Sequence, residues 1–190
     1  MPAAGTAGHP EVPEGAPKWS VRLPGSFGPR MRAVTWQVYL SGEIHTDWRE
    51  RIEAGARDAG LDAAFTAPVT DHAASDDCGV TILGDEPETF WKDHVGAGVN
   101  AIRTRTLIER ADVVVVRFGE QYKQWNAAFD AGYAAALGKP LVTLHPEQHD
   151  HPLKEVDRAA LAVAREPEQV VEILRYVLQG TLSISHASVR

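Results

Sequence analysis

A chain of 190 residues that is 44% hydrophobic has apolar material for one full α/β core and too little for two. Its formal charge is −7, and Lys18, Arg22 and Arg30 outnumber Glu11 and Glu14 in the first thirty residues, so the acidic excess lies in the remainder; this excludes nucleic acid as the expected partner, because such affinity rests on clustered Lys and Arg against phosphates, and favours a small molecule. The lone Cys78 excludes an intrachain disulfide, and no window reaches the ~18 consecutive apolar residues of a membrane span, so the expectation is a soluble, cytoplasmic protein with no membrane attachment.

Residues 1–30 are rich in Pro, Gly and Ala without any period, which predicts a disordered extension. Met31 stands just before the first strand and is the expected start of the native chain. The ordered domain is expected over residues 31–180, with a flexible tail over 181–190. The run VTWQVYLS at 34–41 alternates and is rich in β-branched and aromatic residues, so it predicts a first strand ending at Gly42. An amphipathic helix is expected over 48–59 with Ile52, Ala56 and Ala59 on one face, and Asp47 followed by Glu50 predicts a capping box. Gly60 closes that helix, and LDAAFTAP at 61–68 reads as a second strand. Residues 69–94 carry Asp71, His72, Asp76, Asp77, Asp85, Glu86 and Glu88 around one short apolar interlude, VTIL; this predicts an irregular lid. A helix over 96–110 follows, with Val99, Ile102 and Thr106 inward.

Residues 111–143 form the centre of the pattern: ADVVVVRFGE, then QYKQWNAAFDAGYAAALGKP, then LVT. Four consecutive valines, Val113 to Val116, predict a strand buried on both faces. Helix formers take over from Trp125, with Phe129, Gly132 and Ala136 expected to face the sheet. Gly138, Lys139 and Pro140 end that helix with a residue free to take positive φ, a cation on the helix dipole, and a ring that cannot continue it. A strand at 141–144, a polar loop HPEQHDHP, a fifth strand at 160–164 and a last helix opened by Pro167, with Val170, Leu174 and Val177 inward, complete the chain. The fold predicted is α/β: a three-layer, doubly wound parallel sheet of four to five strands, Rossmann- or flavodoxin-like. Ligands bind such sheets at the carboxyl ends of the strands, where the loops at 42–47, 66–72, 118–126 and 145–151 converge.

The first of these loops is no phosphate cradle, since it lacks a Gly-rich run and carries Glu43 and Asp47. Carboxylates accept hydrogen bonds from hydroxyls, which points to a sugar, and Gly42 beside Glu43 permits close ligand approach. Asp130 is an isolated acid in a helix of Ala, Phe and Tyr, one turn beyond Asn126; such a residue costs helix propensity and is expected to serve a function. Glu43 and Asp130 together supply the minimum for glycosidic chemistry: one carboxylate attacks or shields the anomeric carbon and another acid assists the leaving group. His145, His149, His151 and Asp150 lack a helical metal-binding frame and read as polar loop residues, so no metal or other cofactor is expected.

VYLSGEIHTDW, ADVVVVRFGE and QWNAAFDAGYAAALGKP together resemble the YtoQ-type family, which belongs with the nucleoside 2-deoxyribosyltransferase-like proteins; the resemblance spans about residues 34–177. It implies an enzyme in which a carboxylate on the helix after the central strand attacks the anomeric carbon of a deoxynucleoside, releases the base and holds the sugar for another acceptor. The matching residues are Asp130, Gly132, Tyr133 and Ala134 before Gly138, Lys139 and Pro140, so the resemblance makes Asp130 the nucleophile, and Glu43, from the pairing of carboxylates above, is its expected helper. Tyr39, Gly42, His45, Asn100, Arg103 and Asn126 are the expected ligand contacts, and Arg103 with Arg105 would suit a phosphate on the sugar. Gln124, Asn126 and Ala127 stand where the wider family has an acidic residue and a Gly-Thr pair, and Asp130 is one methylene shorter than the family's glutamate; a catalytically silent nucleotide- or sugar-binding module is the alternative. The resemblance also implies a homo-oligomer.

Overall fold

The computed structural model describes residues 35–121 and 124–182. The extension expected at 1–30, Met31 and most of the expected tail lie outside the described residues. Five parallel strands form one sheet in the order β2-β1-β3-β4-β5. They are β1 (Trp36–Gly42), β2 (Ala63–Thr66), β3 (Val113–Arg117), β4 (Leu141–Leu144) and β5 (Ala162–Ala164). β1 pairs on both sides, Val38 lying opposite Phe65 of β2 and Val113 of β3. The winding therefore reverses between β1 and β3, and the crevice of a doubly wound sheet opens there, outside the carboxyl ends. This is a flavodoxin-like α/β architecture.

The valine run explains the layering. Side chains alternate across a strand, so Val113 and Val115 join Trp48, Ile52, Val170 and Leu174 in one core, while Val114 and Val116 join Ile108, Ala127, Ala131 and Ala134 in the other. All four valines are at most 4% exposed, each contributing about 1.5–3 kcal/mol by burial. Helices α1 (Trp48–Asp58) and α6 (Pro167–Gln179) cover the first face; α3 (Thr89–Arg110), α4 (Trp125–Ala136) and α5 (Asp150–Ala159) cover the second.

Several expectations are corrected. The segment read as an irregular lid contains a regular helix, α2 (His72–Leu83), capped by Asp71, whose carboxylate accepts from the Ala74 amide at 2.7 Å, and α3 starts at Thr89. These two helices meet so closely that a Cβ on Gly79 would lie 2.4 Å from the Gly96 nitrogen. The polar loop after β4 is a 3₁₀ turn (Glu147–His149) leading into α5. On α4 the buried residues are Ala127, Ala131 and Ala134, whereas Phe129 is 61% exposed and a Cβ on Gly132 would meet nothing within 4 Å; the bulky strand residues beneath, Tyr39, Val114 and Leu141, leave room only for alanines. Ile102 and Val177 also face outward, at 71% and 46% exposure. Asp47 precedes α1 but its side chain caps nothing, because its backbone at φ −83°, ψ 16° is not the extended conformation that aims a cap at the first amides. The exit of α4 is a Schellman turn with Gly138 at φ 68°, its amide bonding the Ala135 carbonyl and that of Lys139 the Ala134 carbonyl. The Lys139 ammonium caps α3 instead of its own helix, donating to the carbonyls of Glu109 and Ala111 at 2.6 and 3.0 Å.

Candidate active site

The β1 side chains Tyr39 and Ser41 face the α4 layer, and there Ser41 Oγ donates to Asp130 Oδ2 at 2.5 Å. Ser41 is 1% exposed, and among the described residues it is the only hydrogen-bond partner of the Asp130 carboxylate. Burial raises the Asp130 pKa above the ordinary aspartate value, against the Ser41 bond, which favours the charged form. Tyr39 is fully buried. Its hydroxyl lies beside Thr104 and Ser41 without a well-formed hydrogen bond. Burial above all pushes this phenol up to about 12; the Asp130 charge adds to the rise, while Thr104, Arg49 and Ser41 oppose it. Tyr39, expected as a ligand contact, therefore floors the site from within the core.

Glu43 is buried, at 4% exposure, immediately after β1. Its carboxylate accepts from the His45 amide and, at 2.6 Å, from the Thr46 hydroxyl. Arg117 Nε lies 3.4 Å from Oε2, a charge contact without hydrogen-bond alignment. Burial works to raise the Glu43 pKa, but the Thr46 hydroxyl, the His45 and Thr46 amides and Arg117 outweigh it and hold the group below its ordinary value. A carboxylate so held donates no proton near neutral pH; the geometry makes Glu43 the staple of its own loop. Its carbonyl is bound as well, by Trp48 Nε1 at 2.8 Å and Arg49 Nη1 at 2.6 Å. Gly42 serves the same joint: at φ +103°, a Cβ there would lie 2.0 Å from the Arg117 carbonyl oxygen. What approaches Gly42 on its Cβ side is β3 backbone.

The remaining expected residues divide. His45 lines a cavity of about 130 Å³ with Glu43, Thr46, Arg117 and Gly119. Asn126 is exposed on the first turn of α4, one turn before Asp130. Arg103 donates to the Ala67 carbonyl at 3.1 Å and lines a cavity of about 320 Å³ beyond β2, with Arg49, Phe65, Thr66 and Thr70. Asn100 is not brought to the site: its amide bonds Ser75 of α2, at 2.9 Å to the carbonyl and 3.2 Å to the hydroxyl. Asp130 lines neither cavity.

A second polar cluster, read from the sequence only as loop histidines, lies at the ends of β4 and β5. His145 is fully buried, with Nε2 at 3.0 and 3.1 Å from the Asp157 oxygens. Thr143 donates to Asp157 at 2.8 Å, and Arg165 Nη1 donates to Asp150 at 2.5 Å while lying 3.2 Å from His145 Nδ1. His145, Asp150 and Asp157 stand close enough to share a cation, and Arg165 supplies a positive charge between them. The only sequence signal was His145 directly after a strand.

Comparison with known proteins agrees with this architecture. The profile of the family described as nucleoside 2-deoxyribosyltransferase YtoQ matches residues 39–178. The chain is 42% identical over 142 residues to the uncharacterised protein YtoQ of Bacillus subtilis (strain 168), covering 75% of this chain and 96% of that one. A conserved protein from Enterococcus faecalis V583 shares the fold, with TM-score 0.53 at 12% identity, covering 76% of this chain and 99% of the other. A 2-deoxyribosyltransferase from Bacillus psychrosaccharolyticus aligns at TM-score 0.44 and 15% identity, over 71% of this chain and 90% of its own. With a family match that spans β1 to α6 and a close relative aligned over nearly its whole length, the chain belongs to the YtoQ family of nucleoside 2-deoxyribosyltransferase-like proteins.

Proposed function

We propose that this protein cleaves or exchanges the N-glycosidic bond of a deoxynucleoside or its monophosphate, with Asp130 as the nucleophile. The observation that carries the reading is the Asp130 carboxylate, brought by α4 to the carboxyl end of β1 beside the β1/β3 crevice and bound to Ser41. One Asp130 oxygen attacks the anomeric carbon, the carbon–nitrogen bond breaks, and its electron pair leaves with the base, which takes a proton from solvent water. A nitrogen of a second base, or water, then attacks the same carbon, loses its proton to solvent and releases the Asp130 carboxylate. Glu43 holds the neighbouring loop through this cycle. His45 and Asn126 are the proposed ligand contacts nearest that loop and helix, and Arg103, in the cavity beyond β2, is the proposed contact for a phosphate or other polar end of the substrate. A homo-oligomer in the cytoplasm is part of the same reading; Trp125 and Phe129, 74% and 61% exposed on α4, are apolar surface that an interface would bury.

Chromatography of the protein with a deoxynucleoside and a second free base tests this. New nucleoside marks a transferase and free base alone a hydrolase; neither product across purine and pyrimidine nucleosides and their 5′-monophosphates would overturn the reading. A silent binding module is favoured by one observation: Gln124, standing where the wider family is acidic, closes its own loop by accepting from the Gly119 amide and donating to the Gln121 carbonyl, both at 2.8 Å. Under it, ligand raises the melting temperature without turnover.

A further inference from the structure

We infer that Ser41 is the positioning residue of the site: its hydroxyl, on the α4-facing side of β1 near its carboxyl end, pins one oxygen of Asp130 and leaves the other for chemistry. The inference rests on the reading of Asp130 as the reacting group. Asp130 carries one methylene fewer than the glutamate expected by resemblance, so a helix-borne carboxylate here needs a group on the sheet to meet it. Ser41 is the one that does, at 2.5 Å. The neighbouring positions on β1 offer no substitute. Gly42 cannot carry a side chain, since a Cβ would lie 2.0 Å from the Arg117 carbonyl oxygen, and the Tyr39 hydroxyl, deeper on the same face, makes no well-formed hydrogen bond. Among the described residues Oδ1 of Asp130 has no hydrogen-bond partner, so the bound oxygen and the unbound one have different tasks.

Two consequences follow from a hydrogen bond between a hydroxyl and a carboxylate. The side chain loses its rotational freedom, which places the attacking oxygen in one position. The charged form is favoured over the neutral one, which offsets part of the rise that burial imposes on Asp130. Ser41 thus keeps a partly desolvated carboxylate ionised and aimed.

Carboxyl ¹³C NMR titration of Asp130 in the full chain, without substrate, tests the inference. Ser41→Ala should raise the titration midpoint by about one pH unit, and Ser41→Thr, which keeps the hydroxyl, should return it to within about 0.3 of wild type. Ser41→Cys, a weak donor of similar size, should fall between and covers the case in which the alanine variant folds poorly. Coincident midpoints in wild type and Ser41→Ala, or a threonine variant that titrates like alanine, would overturn the inference. In a nucleoside assay Ser41→Ala should lower kcat about 10- to 100-fold with KM little changed, and move the acid limb of the pH profile upward by the same unit. Wild type without turnover would remove the proposed function, while the titration would still decide what Ser41 does to Asp130.

Discussion

Glu43 and Arg117 meet across the ends of β1 and β3, with Oε2 and Nε 3.4 Å apart and the Glu43 amide donating to the Arg117 carbonyl at 3.1 Å. This joint lies at the point where the sheet reverses its winding, so the shape of the crevice depends on a carboxylate that faces inward. Gly119 completes it, because a Cβ there would lie 2.4 Å from Glu43 Cγ. Glu43→Gln should cost about 1–3 kcal/mol at pH 7 in urea unfolding, as the loop loses a charged acceptor. The sign with pH follows from the lowered pKa: the stabilisation is present above the unfolded value of 4.5 and is lost as pH falls through the folded value, so the deficit of the variant should shrink on acidification.

Asp130 behaves in the opposite sense. Its folded pKa is raised above the ordinary 3.8, so the folded chain binds that proton more tightly than the unfolded chain, and the favourable contribution is lost as pH rises through the folded value. Asp130→Asn should therefore raise the melting temperature at pH 7, and the gain should disappear below about pH 4. A melting temperature at pH 7 that falls in the variant would contradict the buried, partly desolvated placement of this carboxylate.

Gly42 and Gly132 separate structural necessity from spare helix propensity. Gly42→Ala has positive φ and the Arg117 carbonyl oxygen against it and should lose about 3 kcal/mol or more, or fail to fold. Gly132 is helical and a Cβ there would meet nothing within 4 Å, so Gly132→Ala should stabilise by about 1 kcal/mol. Thermal and denaturant melts of the two variants read both effects.

The His145 cluster ties β4, α5 and the residue after β5 together. Asp157→Ala removes the acceptor of both the buried His145 ring and the Thr143 hydroxyl, and should cost about 1–3 kcal/mol. Hydrogen exchange should show the loss concentrated in β4 and α5.

The sheet was legible where local signals agreed. The run Val113 to Val116 is buried as its composition demands, and Leu141–Leu144 is a strand at its expected bounds. Elements that pack on other helices or present small residues were hidden. α2 lies against α3 with Gly79 at the contact, so its sequence has no apolar stripe. α5 leaves its apolar Leu153 and Val156 partly exposed and has Pro152 in its first turn. On α4 the larger side chains suggested the inner face, but the sheet beneath was already filled by Tyr39 and Leu141, and alanines took it. Asp130 stood out as an isolated acid in an apolar helix, whereas its partner Ser41 did not, because only the crossing of α4 over β1 brings the two together. Glu43 was visible as a loop carboxylate, but its bonds to Thr46, His45 and Arg117 depend on how that loop folds back.

Acid quenching during incubation with a deoxynucleoside, followed by proteolysis and mass spectrometry of the peptides, tests attack by Asp130 most directly. With Asp130 as the nucleophile, one added dehydrated deoxyribosyl unit is expected on the peptide that carries Asp130, absent in Asp130→Asn and removed when a second base is supplied. Release of base with the sugar attached to another residue, or undiminished release by Asp130→Ala, would contradict it.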